Sequence, residues 1–254
     1  MKTIIYQDNE HILSGMTMKD CKEKESFNMA LHACISPEYV MNNRKLLAGY
    51  LQSTLEDFVF ADQTHSANFH RVIQTDRGKG ATDQKTAIRD TDALYTYETN
   101  IVLCSMTADC VPVIFYTDDL IGVIHSGWQG TVKEITSTLF IHLQEVEKCD
   151  VRKIHVQIGA ALSQKKFEVD EDVYKKFAAL GYADDFITYN AATNKYHIDN
   201  QLTVKRQCEL VGIPEANITV DRTCTFQSPD GFSYRQDRLT GRHVSFIKRK
   251  GCKP

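Results

Sequence analysis

Two short apolar segments separated by a polar turn most constrain how this chain can fold. Residues 111–116 and 121–125 are each long enough for a buried strand, and two consecutive Asp residues lie between them as a turn signal. If this turn pairs the strands in antiparallel fashion, Cys110 falls within a residue or two of the position opposite His125. The sequence therefore predicts a hairpin with a thiol and an imidazole close together at one end.

Apolar periodicity and turn signals predict a mixture of helices and strands along the chain. The predicted helices lie near residues 37–51, 132–146, 171–180 and 202–210, and the predicted strands near 101–106, 111–116, 121–125, 153–158, 217–221 and 243–247. Because they do not alternate strictly, an α/β or α+β layered sandwich is favoured over a doubly wound sheet. With no internal repeat and no convincing linker, we expect one domain over residues 1–254.

Composition excludes several classes of protein. Thirty Lys and Arg against 33 Asp and Glu give a net charge of −3, which argues against general binding to nucleic acid. No run of about 18 apolar residues indicates a membrane span, and the polar first residues lack a signal-peptide block. We therefore expect a cytoplasmic protein. The eight cysteines form no CxxC pair, so most are predicted to be plain buried thiols.

A third candidate site residue, His65, begins a loop after a short apolar stretch. Together with Cys110 and His125 it would complete two imidazoles and one thiolate, a first shell of three protein ligands for Zn²⁺. Three ligands leave one position open, which is the pattern of a catalytic zinc site. Spacing alone does not bring His65 to the other two, and each residue is equally consistent with an ordinary surface or core role.

Two other segments are candidates for anion binding. Residues 127–130 contain two glycines at the start of a predicted helix, where free backbone N–H groups bind anions, although the turn also suits packing of Trp128. A C-terminal block carries Arg235, Arg238 and Arg242, and arginine suits bidentate capture of phosphate or carboxylate. Ordinary ion pairs on a solvated surface explain these arginines equally well.

Six motifs occur in one order and carry a family resemblance. They lie at residues 63–65, 107–112, 125–130, 158–169, 224–225 and 232–242. Together they resemble the bacterial laccase-domain family, long called multicopper polyphenol oxidases and later reassigned as purine nucleoside phosphorylases. The resemblance covers nearly the whole chain, from about residue 43 to residue 247.

The resemblance implies a four-layer α/β/β/α sandwich related to the cysteine-hydrolase fold of a bacterial deamidase toxin. It also implies a zinc ion held by His65, Cys110 and His125. The implied activities are phosphorolysis of adenosine, inosine, guanosine and methylthioadenosine, with adenosine deamination in the same site. The implied partners are therefore purine nucleosides and phosphate.

The chain departs from the family pattern at three positions. Ser126 and Gln129 stand where the family usually has Ala and Arg, and Gln236 stands where it often has a second Arg. If the Arg usually found at position 129 neutralises phosphate, another residue must take that role here.

The remaining site residues are expectations from residue type and position. Asn43 and Arg44 match the family's N-x-R stretch, so Arg44 is our first candidate for phosphate contact, followed by Arg71 and Arg235. Asp109, next to the presumed ligand Cys110, is a candidate to orient a ligand or to shuttle a proton.

Three other functions stay open at this point. A copper-dependent polyphenol oxidase would share the His₂Cys donor set, but nine His in total are too few and too scattered for a trinuclear copper centre. A Cys–His hydrolase would use Cys110 as nucleophile with His125 or His65 as base. A non-enzymatic protein with a structural zinc lacks an evident fourth ligand. We expect a monomer, because no apolar surface helix stands out.

Overall fold

The computed structural model describes residues 1–250 and contains three β-sheets, two of which are covered by helices. The strands are β1 (Lys2–Asp8), β2 (Ile12–Met18), β3 (Phe58–Phe60), β4 (Phe69–Arg71), β5 (Ala93–Thr96), β6 (Val102–Thr107), β7 (Val111–Tyr116), β8 (Ile121–Ser126), β9 (His155–Ile158), β10 (Glu168–Val169), β11 (Ile187–Asn190), β12 (Lys195–Ile198), β13 (Ile218–Val220) and β14 (His243–Arg249). The helices are α1 (Pro37–Tyr50), α2 (Trp128–Val132), α3 (Ile135–Glu145), α4 (Glu171–Ala178) and α5 (Asn200–Leu210).

Two large sheets form the centre of the molecule. The first has five strands in the order β1-β2-β14-β6-β3, and the second has six in the order β13-β9-β7-β8-β5-β4. Val59, Leu103 and Ile247 of the first sheet share one buried apolar cluster with Ile114 and Val123 of the second. The two sheets therefore pack face to face. A small third sheet, β10-β12-β11, lies beside α4.

Helices cover the outer faces of both large sheets. Leu47 of α1 belongs to the same buried cluster as Phe246 of β14, so α1 covers the five-stranded sheet. Phe140 of α3 and Val204 of α5 share a cluster with Phe115 of β7, and the Phe115 and Phe140 rings meet edge to face at 5.1 Å. The order helix, sheet, sheet, helix confirms the predicted four-layer α/β/β/α sandwich.

The predicted hairpin has the expected register. β7 and β8 pair antiparallel, with Pro112 opposite His125 and Phe115 opposite Gly122. A side chain at position 122 would start 2.0 Å from the Phe115 ring, so the glycine lets that ring lie across the neighbouring strand. Cys110 directly precedes β7 and therefore lies at the same end of the hairpin as His125.

Most other predicted elements are present, with one correction. The predicted helix at 132–146 begins at Ile135 instead, because Glu134 adopts a left-handed conformation with φ of +58° that separates it from the short helix α2. The strands β1 to β5 and the small third sheet were not predicted; β3, β4 and β10 have only two or three residues, and β1 with β2 and β11 with β12 form hairpins whose sequences lack a clear alternation of apolar and polar residues.

Two further features of the described residues are the state of the cysteines and the character of the helices. The seven cysteines in residues 1–250 are free thiols, and Cys252 lies outside the described residues. Over the same range, no helix is both long and apolar enough to cross a membrane.

Candidate metal centre and active site

His65, Cys110 and His125 come together at one end of the two large sheets. Their candidate ligand atoms all lie within 4.8 Å of one another, and Cys110 Sγ is 3.7 Å from His65 Nε2. The two imidazole rings meet edge to face with centroids 4.8 Å apart. We call these three residues the triad. The structure thus supplies the proximity of His65, which spacing alone did not.

The Gln63 side chain explains how His65 reaches the triad. Its amide donates to the backbone carbonyl of Met106 and accepts from the Met106 N–H, both at 2.8 Å. This reciprocal pair extends the parallel contact of β3 with β6 beyond the end of β3. Met106 lies four residues before Cys110 in the chain. These two hydrogen bonds of Gln63 therefore position His65 close to the Cys110 thiol.

The donor set of the triad fits a metal ion. In a tetrahedral zinc site the ligand atoms lie about 3.3–3.6 Å apart, slightly closer than the separations seen here. Two imidazoles and one thiolate suit zinc, and the same donors occur in mononuclear copper sites. Three protein ligands would leave one position for a substrate oxygen or water.

Asp92 supports the triad and was missed at the sequence level. Its carboxylate is buried and lies 2.8 Å from Nδ1 of His125, which leaves Nε2 of that ring for a metal. The same carboxylate accepts bonds from the backbone N–H groups of Thr64, His65 and Ser66 and from the Ser66 hydroxyl. It therefore fixes both histidines of the triad.

Asp92 was missed because its position depends on a long-range strand pairing. It directly precedes β5, whose antiparallel pairing with β8 sets Ala93 opposite Ile124 and places Asp92 beside His125. In the sequence it ends a long polar loop, with only its place before an apolar run as a signal. Burial raises the pKa of Asp92, but hydrogen bonds from His125 and Ser66 outweigh this effect and hold the pKa at about 2.

The charges of the triad favour the thiolate. Burial raises the pKa of the Cys110 thiol, but the charge of His125 and hydrogen bonds with His125 and His65 hold it at about 6. Burial lowers the pKa of His125, and the opposing effects of Cys110 and Asp92 raise it above its ordinary value. The thiolate is the form of cysteine that binds a metal or acts as a nucleophile.

The backbone around the triad is unusual at three positions. His65 and Asp109 adopt positive φ angles of +60° and +84°, which non-glycine residues rarely do. At Gly127, a Cβ would lie 2.6 Å from the His65 ring and 3.0 Å from Cys110 Sγ. A glycine is thus required where the backbone passes against the triad.

Two adjoining cavities border the triad. The first has a volume of about 500 Å³ and four carboxylates against one guanidinium, and we call it the acidic cavity. Its charged lining residues are Asp109, Glu168, Asp170, Asp172 and Arg235, and its apolar wall includes Trp128, Leu162, Phe167 and Val173.

The second cavity, of about 570 Å³, we call the arginine cavity. Its polar lining includes His32, Asp62, Gln84, Thr107 and Arg242. Both cavities share the side chains of His65, Cys110 and Tyr234, so the triad lies where they meet.

The structure does not bring three of the expected phosphate contacts to the site. Arg44 is completely buried, donates to the backbone carbonyls of Met29, Gly80 and Ala81, and lines neither cavity. Asn43 is also buried and donates to two backbone carbonyls nearby. Arg71 is paired with Glu147 and also lines neither cavity. Helix α1 turns Asn43 and Arg44 into the protein interior and Arg71 lies on β4, so none of these three expected contacts lines the site.

Asp109 and Arg235 do line the acidic cavity. Both carboxylate oxygens of Asp109 are engaged, by the hydroxyls of Thr225 and Ser233 and by the backbone N–H of Arg235. Asp109 thereby fixes the C-terminal loop against the site, so a positioning role fits its contacts better than proton transfer. The Arg235 guanidinium donates to the Glu168 carbonyl and is otherwise exposed.

The three departures from the family pattern lie outside the polar linings of the site. Gln129 and Gln236 are exposed and line neither cavity. Ser126 is buried, and its hydroxyl bonds that of Thr131 within α2. Trp128, next to them, is half-buried on the wall of the acidic cavity rather than in the core.

Comparison with known proteins gives relatives over nearly the whole chain. The chain is 36% identical to a protein named purine nucleoside phosphorylase YlmD from Bacillus subtilis, over 96% of this chain and 91% of the relative. The crystal structure of hypothetical protein YfiH from Bacillus licheniformis superposes with a TM-score of 0.90 at 32% identity, covering 97% of this chain and 99% of that one.

Another solved structure and a family model also match nearly the whole chain. YlmD from Geobacillus stearothermophilus also has a TM-score of 0.90, at 30% identity, covering 98% of this chain and 100% of that one. A family model described as multi-copper polyphenol oxidoreductase laccase matches residues 15–250. The chain therefore belongs to this laccase-domain family, as its motifs predicted.

Proposed function

We propose that this protein is a zinc-dependent purine nucleoside phosphorylase. The single observation that carries the proposal is the triad, which sets an open metal-binding donor set between two cavities large enough for small molecules. The names of the relatives supply the reaction class. The proposed substrates are phosphate and the nucleosides adenosine, inosine, guanosine and methylthioadenosine, with adenosine deamination as a second activity of the same site.

The acidic cavity suits the nucleoside. Trp128 and Phe167 offer aromatic faces and Leu162 and Val173 offer aliphatic ones, which together match the flat apolar faces of a purine. The carboxylates of Glu168 and its neighbours favour a substrate without negative charge. They also favour the positive charge that develops on the ribose as its bond to the base breaks.

The residues of the triad have distinct tasks in this reaction. In phosphorolysis the bond from C1′ of the ribose to the purine breaks, its electron pair leaves on the base, and a phosphate oxygen bonds to C1′. A metal ion held by His65, Cys110 and His125 would supply a cation that attracts phosphate or ribose oxygens. Asp92 keeps His125 in the tautomer that ligates, and Gly127 leaves room for the ligands.

The experiment is chromatography of the zinc-loaded protein after incubation with adenosine, with and without phosphate. We expect adenine and ribose 1-phosphate only when phosphate is present. Cys110→Ala should lose both zinc and turnover, while Cys149→Ala, another half-buried thiol that lines neither site cavity, should keep both. A zinc-loaded wild-type protein that cleaves none of the four nucleosides would refute the proposal.

The experiment also separates the second activity. Inosine formed from adenosine without phosphate shows deamination, for which a metal ion held by the triad would supply an activated water. Adenine formed without phosphate would indicate hydrolysis of the nucleoside and would contradict phosphorolysis.

A second candidate function is favoured by one observation. Cys110, His125 and Asp92 lie in the order thiol, imidazole, carboxylate that cysteine hydrolases use. In such an enzyme zinc would block the nucleophile. Iodoacetamide labelling of Cys110 together with hydrolase activity that rises on chelation would favour this candidate over the phosphorylase.

The polyphenol oxidase named by the family model has less support. A multicopper oxidase requires a trinuclear copper centre with many His ligands besides its mononuclear site. Across residues 1–250, the triad is the one cluster of three or more His, Cys, Asp or Glu side chains placed to hold a metal. Oxygen consumption with a phenol by the copper-loaded protein would reverse this judgement.

A further inference from the structure

The two cavities beside the triad differ in charge. The acidic cavity carries four carboxylates and Arg235, so a phosphate dianion entering it meets a net negative wall. The arginine cavity carries the charge of Arg242, with Asp62 as its one carboxylate. Solvent screens the exposed carboxylates Asp62, Asp170 and Asp172, which leaves the half-buried Asp109 and Glu168 in the acidic cavity against Arg242 in the arginine cavity. An anion that reaches the triad is therefore favoured on the arginine side.

Arg242 has unused donors in this cavity. Its NH1 group donates to the carbonyls of Thr240 and Gly241, which are its own chain neighbours. No carboxylate of residues 1–250 forms an ion pair with it. The side chain is half-buried, and burial lowers the pKa of the guanidinium while the nearby Cys110 acts in the opposite direction. A partly desolvated guanidinium without a counter-ion is stabilised by a bound anion.

Two further residues on the wall of the arginine cavity carry polar hydrogens that no described residue accepts. Burial lowers the pKa of His32, and the charges of Arg242 and Arg44 lower it further, so its imidazole is neutral and offers one N–H. The Thr107 hydroxyl is buried and has no partner among the described residues. The Gln63 amide is not available, because both of its ends are used on Met106.

We propose that phosphate binds in the arginine cavity through Arg242, with His32 and Thr107 as further donors, while the nucleoside binds in the acidic cavity. This inference rests on the proposed function and assigns each substrate to one side of the triad. It moves the phosphate contact from Arg44 and Arg71 to a residue of the C-terminal block. It also implies that nucleotides are poor substrates, since their 5′-phosphate would face the carboxylates of the acidic cavity.

The test uses three arginines of the same C-terminal block, each replaced by glutamine. Arg242→Gln removes charge-assisted hydrogen bonds to phosphate and should raise KM for phosphate about 10- to 100-fold, with KM for adenosine changed by less than about twofold. Arg235→Gln should change KM for adenosine and leave KM for phosphate unaltered. Arg238→Gln, which is exposed and lines neither cavity, is the matched control and should change neither.

The result that overturns the proposal is a normal KM for phosphate in Arg242→Gln, or a raised one in Arg235→Gln. Zinc content and thermal melting of each variant establish that the fold and the triad are intact. Arg242→Lys, which keeps the charge without the planar fork, should recover part of the phosphate affinity.

A direct binding measurement separates this inference from the proposed function. Calorimetric titration of the zinc-loaded protein with inorganic phosphate needs no turnover. If the wild type binds phosphate but phosphorolyses no nucleoside, the proposed function fails while the subsite can still be judged. Loss of binding in Arg242→Gln but not in Arg238→Gln then supports the subsite, and equal binding by all three proteins overturns it.

Discussion

Replacement of Asp92 by asparagine tests whether the triad is organised by a carboxylate that does not touch substrate. The wild-type carboxylate accepts five hydrogen bonds, of which the shortest are 2.6 Å from the Ser66 hydroxyl and 2.7 Å from its N–H group. The bond with His125 Nδ1 is 2.8 Å. Asparagine keeps the shape of the side chain but has one acceptor oxygen and one donor group. One acceptor oxygen cannot accept hydrogen bonds both from His125 and from the N–H groups of residues 64–66.

Either orientation of the asparagine amide harms the site. If its oxygen faces the 64–66 loop, its NH₂ group faces His125 Nδ1 and stabilises the tautomer that carries a proton on Nε2, which then cannot ligate. If its oxygen faces His125, the NH₂ group opposes the donors of the loop that holds His65. Carboxylates that orient metal-bound histidines contribute about 10- to 100-fold to metal affinity, or about 1.4–2.7 kcal/mol. We expect a loss of this size in zinc affinity.

The assay is competition for zinc against a chromophoric chelator, with adenosine phosphorolysis measured at saturating zinc. Asp90→Asn is the matched control, because Asp90 is an exposed carboxylate of the same loop that accepts from Asn68 and from the Thr64 hydroxyl but contacts no residue of the triad. Asp90→Asn should bind zinc as the wild type does. If Asp92→Asn also binds zinc within twofold of the wild type, the argument that Asp92 orients the ligands is refuted.

Three further predictions concern the residues around the site and the core. Gly127→Ala should lower zinc affinity at least about tenfold because its Cβ displaces His65 and Cys110, whereas Gly49→Ala, with open space around it on α1, should retain zinc and unfold at a slightly higher temperature. Arg44→Met should lower the free energy of unfolding by about 3 kcal/mol in urea titrations, since three carbonyls lose their donor, without raising KM for phosphate. Burial lowers the pKa of His243 from its ordinary value of 6.5 to about 4, so the unfolded chain binds the extra proton first as pH falls. Stability should therefore fall by about 3 kcal/mol between pH 7 and pH 4, and His243→Gln should lack this part of the pH dependence; an unchanged profile would contradict the assignment.

The parts of the fold that the sequence predicted are those determined by local pairing. The β7–β8 hairpin is joined by a short turn, so its register follows from the chain itself and puts Cys110 near His125. Helix α1 likewise begins at Pro37, directly after Ser36, as the sequence signals indicate. His65 was a candidate ligand from its residue type and position, but only the family resemblance implied that it joins the other two, because no local rule brings it across to Cys110.

Several of the parts that were missed depend on distant segments. The first two strands join the sheet by pairing β2 with β14, at the opposite end of the chain, and a single sequence carries no sign of that contact. The position of the Arg44 side chain also depends on distant segments. An arginine in a helix is normally expected at the surface. This guanidinium is instead held in the interior, by backbone carbonyls from two loops and by the Phe60 ring, whose centroid is 4.1 Å away.

The structure explains why a glutamine precedes His65 by two residues in the motif at residues 63–65. The side-chain amide of Gln63 has both a donor and an acceptor. It can therefore form with the Met106 backbone the same two hydrogen bonds that a further paired strand residue would form. Two residues later the chain turns, because His65 adopts the left-handed conformation. The carboxylate of Asp92 accepts hydrogen bonds from the N–H groups of this turn. Side-chain hydrogen bonds of Gln63 and Asp92 therefore position the triad, although its ligands come from two strand connections and from β8 itself.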